Sequence, residues 1–261
     1  MTFLSAGVMR AAHRTSFVLL AAAALLTGCG TKDAAGPLIP GAFGRIRFVN
    51  LSFDVDTTRG KVNAILESVP FGVDIAYGRS TPAFLPAPAT AIYLPILTGS
   101  RTLVLRRTAD TSATVATFPL TIANGVDYTV YATGASPVTP FITTDTNSTP
   151  ALGQVRVRVV HLSPAAGNVD VFVTAVGADL STATPTLANV AYQGTAYLAS
   201  IAAGTYQVRA VPAGTAPTAR AASVSINLAS IALAANSART IIAASNNAGV
   251  APLRFFALTD R

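Results

Sequence analysis

RIRFVNLS, residues 45–52, and RVRVVHLS, residues 156–163, write the same segment twice in one chain. In each, two arginines stand two apart, with Ile46 and Phe48, or Val157 and Val159, interleaved. Alternate residues of an extended chain point to opposite faces, so each segment reads as a β-strand with one apolar and one basic face. The correspondence continues outward. A short apolar strand follows each opening, VNAIL from Val62 and VDVFV from Val169. Ala76-Tyr77-Gly78 then matches Ala191-Tyr192-Gln193-Gly194, and LPILTGSRTLVLR from Leu94 matches LASIAAGTYQVRA from Leu198. ANGVDYTVYA from Ala123 matches ANSARTIIAA from Ala235, and both copies close on Thr-Asp, at Asp145 and Asp260. A repeat offset by 111 residues is a duplicated domain rather than a solenoid unit.

Each copy supplies about seven short strands rich in Val, Ile and Thr, punctuated by Gly, Pro and Asn. The spacing predicts an all-β fold: two tandem Ig-like β-sandwich domains at residues 44–142 and 153–261, joined by an exposed linker at 143–152. Composition agrees. Hydrophobic residues make up 51% of the chain and charged residues 11%, against about 25% charged in ordinary soluble proteins, which excludes a disordered chain. A membrane β-barrel is disfavoured, because such barrels carry interfacial aromatic girdles and this chain has 7% aromatic residues and no Trp.

The N-terminus sets the expected compartment. Arg10, His13 and Arg14 precede an apolar run from Phe17 to Leu26. This is a signal-peptide pattern, and the run is too short to span a bilayer. Leu26-Thr27-Gly28-Cys29 follows, with the form of the lipobox of bacterial lipoproteins, and Cys29 is the one cysteine of the 261 residues. A thiol is the side chain best able to form a thioether with a diacylglyceryl group, and two or three acyl chains anchor stably where one is marginal. Residues 1–28 are therefore expected to be removed as a signal peptide, Cys29 to be lipidated, and residues 29–43 to be a tether. The expected location is the cell envelope, lipid-anchored; Gly30 in place of Asp after the cysteine favours the outer membrane. Loss of Arg10 and Arg14 lowers the formal net charge from +7 to +5, too dispersed a charge for nucleic acid.

The paired openings RIRFVNLS and RVRVVHLSP, the following VDVFV, the Ala-Tyr segments and the closing LTD resemble the bacterial domain of unknown function family numbered forty-three ninety-seven. The resemblance covers two copies over residues 44 to 261, the second matching better, since Asn50 and Phe53 replace His161 and Pro164 in the first. It implies a β-sandwich of secreted and lipid-anchored envelope proteins with no assigned catalytic residues.

The residues themselves offer little chemistry. The G-x-S-x-G, H-E-x-x-H, P-loop and G-x-G-x-x-G patterns are absent. Beyond the leader there is one histidine, His161, and one glutamate, Glu67. Strand alternation puts His161 on the core face, and Asn50 holds the equivalent place, so a polar side chain capping the turn after the strand explains both. Asp54 and Asp56 form a D-x-D able to hold calcium, but the second copy lacks it and a solvated turn is the simpler reading. No catalytic residue, metal or cofactor is expected.

Three groups remain as candidate ligand contacts. Arg45 and Arg47, with Arg156 and Arg158, form either a shallow cationic face for acidic polysaccharide or a solvated outer face. Tyr77 and Tyr192 are either a repeated sugar-stacking platform or core-edge packing. The insertion from Gly78 to Pro95, apolar at Phe84 and Leu85 and stiffened by four prolines, is either a partner-binding loop or a cover for the first sandwich. The expected function is a non-catalytic, lipid-anchored cell-envelope protein presenting two sandwiches for structural or adhesive contacts. A carbohydrate-binding module is the first alternative and an envelope hydrolase the second. The expected partners are the membrane, through the lipid, and envelope polysaccharide or another envelope protein.

Overall fold

The alternation of Ile46 and Phe48 with Arg47 and Val49 is realised as strand β1 (Phe43–Ser52). A computed structural model describes residues 41–52, 61–81, 93–134, 137–245 and 253–260. The leader, Cys29, the D-x-D of Asp54 and Asp56, and Phe84 and Leu85 lie outside these residues. After β1 come β2 (Lys61–Leu66), β3 (Val69–Ala76), β4 (Arg79–Ser80), β5 (Leu94–Leu97), β6 (Gly99–Arg107), β7 (Thr114–Ile122), β8 (Asp127–Gly134) and β9 (Thr139–Asp145). The second half repeats the series as β10 (Gln154–Leu162), β11 (Val169–Thr174), β12 (Leu187–Val190), β13 (Gly194–Tyr197), β14 (Ile201–Ala202), β15 (Gly204–Pro212), β16 (Ile226–Leu233), β17 (Ala238–Ala244) and β18 (Arg254–Thr259). The halves have more strands than expected because one edge of each central sheet is built from two short pieces, β4 with β5 and β13 with β14.

The fold is all-β, with two sandwiches of the same topology. In the first, the sheet β3-β2-β6-β7 faces the sheet β4-β1-β8-β9; in the second, β12-β11-β15-β16 faces β13-β10-β17-β18. In both, the opening strand runs parallel to a later one, with Arg45 opposite Asp127 and Arg156 opposite Ala238. A parallel pair cannot be closed by a hairpin. The crossover here passes through the facing sheet.

Each sandwich has its own core, Ile46, Phe48, Val62, Leu103, Phe118 and Val130 in the first and Val157, Val159, Val171, Val208 and Ile241 in the second. A third cluster belongs to both halves: Val49, Leu51 and Tyr131 from the first pack with Val160, Leu162, Ile242 and Ala244 from the second. These residues alternate with the sandwich-core residues along β1, β8, β10 and β17, so the central sheets are buried on both faces.

Two expectations change. Strand β9 runs to Asp145 and buries Thr143, so residues 143–145 end a strand instead of opening an exposed linker. The halves do not stand as independent bodies, because residues 42–261 form one compact unit with a shared core.

Candidate functional site

The basic face of β1 and β10 is where the halves meet. Arg47 and Arg158 are 2% and 1% exposed, so neither belongs to a cationic surface or a solvated outer face. Arg47 donates from Nε and Nη2 to Thr129 Oγ1 of its own sheet at 3.3 and 3.0 Å, and from Nη2 to Asp260 Oδ1 of the other half at 2.8 Å. Arg158 donates from Nε to Thr240 Oγ1 of its own sheet at 3.0 Å, and from Nη1 to Asp145 Oδ1 of the other half at 2.5 Å. The threonines complete the circuit. Thr129 donates to Asp145, and Thr240 donates to Asp260 at 2.6 Å.

The arrangement is reciprocal: each arginine takes the threonine of its own sheet and the carboxylate of the other. That is the pairing rule of a two-fold interface, here made within one chain by duplication. Two cations and two anions neutralise one another, which removes the main obstacle to burying them. Tyr93 lies 4.7 Å from the Arg47 guanidinium and Tyr197 lies 5.8 Å from that of Arg158, and Tyr93 also donates to Asp145 Oδ2 at 2.7 Å. Burial alone would lower the arginines, but Tyr93, Asp260 and their neighbours outweigh it for Arg47, and Tyr131 and Asp145 for Arg158, so both are held above the ordinary range. Burial pushes the Tyr131 phenol up to about 12, so it stays neutral.

The outer pair of arginines does other work. Arg45 forms a two-point ion pair with Asp127 at 2.7 and 2.6 Å, with its side chain half exposed. Arg156 donates to the Thr146 and Ser148 carbonyls at 3.1 and 2.9 Å, tying down the connection between the halves.

The two tyrosines do not share a platform. Tyr77 donates to the Ser245 carbonyl at 2.7 Å and sets its ring edge-on to Phe256 at 5.7 Å, both of the second half. The adjoining Gly78, at φ 75°, has no room for a Cβ against the Phe256 ring. Tyr192 lies edge-on to His161 at 6.4 Å.

His161 has the capping role expected of it. Its Nδ1 accepts from the Ser163 N–H at 3.4 Å and its Nε2 donates to the Gly167 carbonyl at 2.7 Å. Asn50 does the same in the first half, accepting from the Ser52 N–H at 3.1 Å and donating to the Ile75 carbonyl at 2.9 Å. Burial lowers the histidine's pKa below its usual value. Both ring nitrogens are engaged by main chain, which leaves neither for a nucleophile or a metal. Among the described residues no three His, Cys, Asp or Glu side chains stand together as a metal set.

Sequence reasoning missed Asp145, Asp260, Thr129, Thr240, Tyr93 and Tyr197. The available signal was their repetition, since each polar residue recurs at the matching place of the other copy. At the end of the first sandwich there is also an open cleft of about 410 Å³, lined by Leu66, Val69, Phe71, Ile96, Leu97 and Arg101 among others. Val69 and Leu97 are exposed on it. Its two charged side chains serve the fold: Arg101 donates to the Leu97 and Thr98 carbonyls, and Glu67 accepts from the Thr102 N–H.

Residues 62–172 match the model of a domain of unknown function, DUF4397. The matched stretch begins in β2 and ends in β11, one full repeat read from the second strand of one half to the second strand of the other. No curated protein matches the chain. Family 41 carbohydrate-binding modules from streptococcal virulence factors, described as recognising alpha-glucan, are similar at 8% identity and a TM-score of 0.27, over 82% of this chain and 96% of theirs. An alpha-glucan-binding streptococcal virulence factor is similar at 9% and 0.26, over 83% and 97%. A leucine-rich repeat protein from Bacteroides thetaiotaomicron is similar at 15% and 0.18, over 77% and 26%. At these scores nothing about the function of this chain follows from the likeness.

Proposed function

We propose that this chain is a non-catalytic, lipid-anchored cell-envelope protein in which two copies of the DUF4397 domain, fused face to face, form one body that presents its outer surface for structural or adhesive contacts. The carrying observation is the reciprocal pairing of Arg47 with Asp260 and of Arg158 with Asp145. It commits the buried arginines of both repeats to holding them together, and the engagement of both ring nitrogens of His161 by main chain counts against that residue as a hydrolase base. The carbohydrate reading loses its platform, because Tyr77 is committed to Ser245 and Phe256. Of the two partners expected, another envelope protein fits better than polysaccharide: the open cleft is lined mainly by aliphatic side chains and proline, which exclude water from apolar side chains but offer sugar hydroxyls few hydrogen bonds. The anchor rests on the lipobox at residues 26–29. In the producing bacterium, Cys29→Ser should move the protein from the membrane to the soluble envelope fraction and abolish labelling by radioactive palmitate. Retention in the membrane, or a mature terminus other than Cys29, would overturn the anchor.

A further inference from the structure

The face that joins the halves carries the same set on both sides: an arginine, a threonine and an aspartate in matching register, with a tyrosine against the cation. Neither side carries a feature that demands its partner be the other repeat of the same chain. The hydrogen-bonded ion pairs of this face run from the arginine of one repeat to the aspartate of the opposite one, while Asp145 also lies 3.8 Å from Arg47 of its own repeat. A repeat from a second molecule supplies that aspartate and that arginine at the same positions.

We infer that this face is a homotypic recognition surface whose partner is a second copy of this chain, so that two chains exchange repeats and assemble with each other through the contacts that close one chain on itself. Exchange keeps each cross-repeat contact: Arg47 with Asp260, Arg158 with Asp145, Tyr77 with the Ser245 carbonyl, and the shared apolar cluster. What it gives up lies in the connection, residues 146–153. There Arg156 holds the Thr146 and Ser148 carbonyls, and the Thr146 N–H donates to Tyr197 Oη at 3.2 Å. Closed and exchanged forms therefore differ by a few exposed hydrogen bonds and by concentration. A short connection holds the repeats at an effective concentration in the millimolar range, so a dilute chain closes on itself and a crowded one exchanges. Two repeats per chain allow a closed pair of chains or a longer open series.

The pairing rule supplies a test that a merely rigid scaffold would not pass. Asp145→Arg in one chain sets a second guanidinium against Arg158 within that chain, and Arg158→Asp in another sets a second carboxylate against Asp145. Each is mismatched at this cross-repeat pair when closed, yet two exchanged chains, one of each kind, have it matched, while the contact of residue 145 with Arg47 of its own repeat is the same in both forms. Co-refolded from denaturant and sized by light scattering, the two variants should give a one-to-one species of twice the chain's mass that neither forms alone. The double variant carrying both changes should fold as a single-mass chain. Separate variants that stay at single mass while the double variant folds would overturn the inference. If the double variant does not fold, wild-type chains with two different tags decide it. Concentrated co-refolding should then yield a double-mass species bearing both tags, and recovery of single-mass chains alone would overturn the inference.

Discussion

Arg158 of the second repeat donates to Asp145 of the first at 2.5 Å, with both side chains almost fully enclosed, and the equivalent Arg47 and Asp260 repeat the bond at 2.8 Å. The relationship turns a sequence duplication into one structural unit. Its stabilising value is conditional, because a buried pair recovers in attraction much of what it loses in hydration. What it imposes strongly is that neither partner can be removed alone.

Arg158→Ala should cost about 3–5 kcal/mol, since it takes from the buried Asp145 its hydrogen-bonded cation and leaves it Thr129, Tyr93 and Thr143 as donors with Arg47 at 3.8 Å. In a domain of this size that corresponds to a fall of roughly 10 °C in Tm. The double variant Arg158→Met with Asp145→Leu should lose less than either single change. Chemical denaturation of the wild type, Arg158→Met, Asp145→Leu and the double variant checks this, and additive losses would show that the pair is not coupled.

Limited proteolysis at residues 146–153 should not release two independent domains. The nicked halves should co-elute and separate only in denaturant, because the shared cluster and the ion pairs do not depend on the connection. The intact body should melt in one transition. Two transitions, or fragments separating under native conditions, would contradict the shared core.

His161 gives a pH dependence whose sign can be worked out. Its folded pKa is lowered by burial below the unfolded value of about 6.5, so the unfolded chain binds the proton more tightly. Stability is therefore fully present above about pH 6.5 and falls as pH drops below it towards the folded value. His161→Asn, which copies Asn50 of the first repeat, should keep the cap and flatten this part of the profile. Urea midpoints measured from about pH 7.5 to about pH 5 distinguish the two proteins, and identical slopes would remove His161 as the titrating group.

Tyr77→Phe should cost about 1 kcal/mol through the lost bond to the Ser245 carbonyl, and Tyr77→Ala about 3–5 kcal/mol through the cavity left against Phe256. Tyr192 variants should not couple to either in a double-mutant cycle, since Tyr192 packs on His161. Coupling between the two tyrosines would restore the shared platform.

Glu67 and Ser68, at φ 48° and 69°, form a two-residue hairpin loop without glycine. Such loops favour Asn-Gly. Replacing the pair with Asn and Gly should relieve roughly 1 kcal/mol of backbone strain, offset in part by losing the Glu67 bond to the Thr102 N–H. A raised Tm checks it, and a lowered one would mean that the carboxylate bond matters more than the backbone.

The strands, their faces and the duplication were legible in the order of residues. Alternation along RIRFVNLS and RVRVVHLS is a local property of the extended backbone, and it placed Ile46, Phe48, Val157 and Val159 in the sandwich cores correctly. Comparing Asn50 with His161 likewise gave the cap, because the bond to the N–H two residues further on is short-range. What covers the opposite face emerged only on folding. An arginine that alternates with core residues looks the same in sequence whether it meets water or a carboxylate far along the chain. Arg47 and Asp260 are brought together only once both sandwiches have formed and met. The charge of the pair becomes compatible with burial there because each side supplies what the other lacks, and that complementarity is a property of two folded surfaces rather than of any one segment.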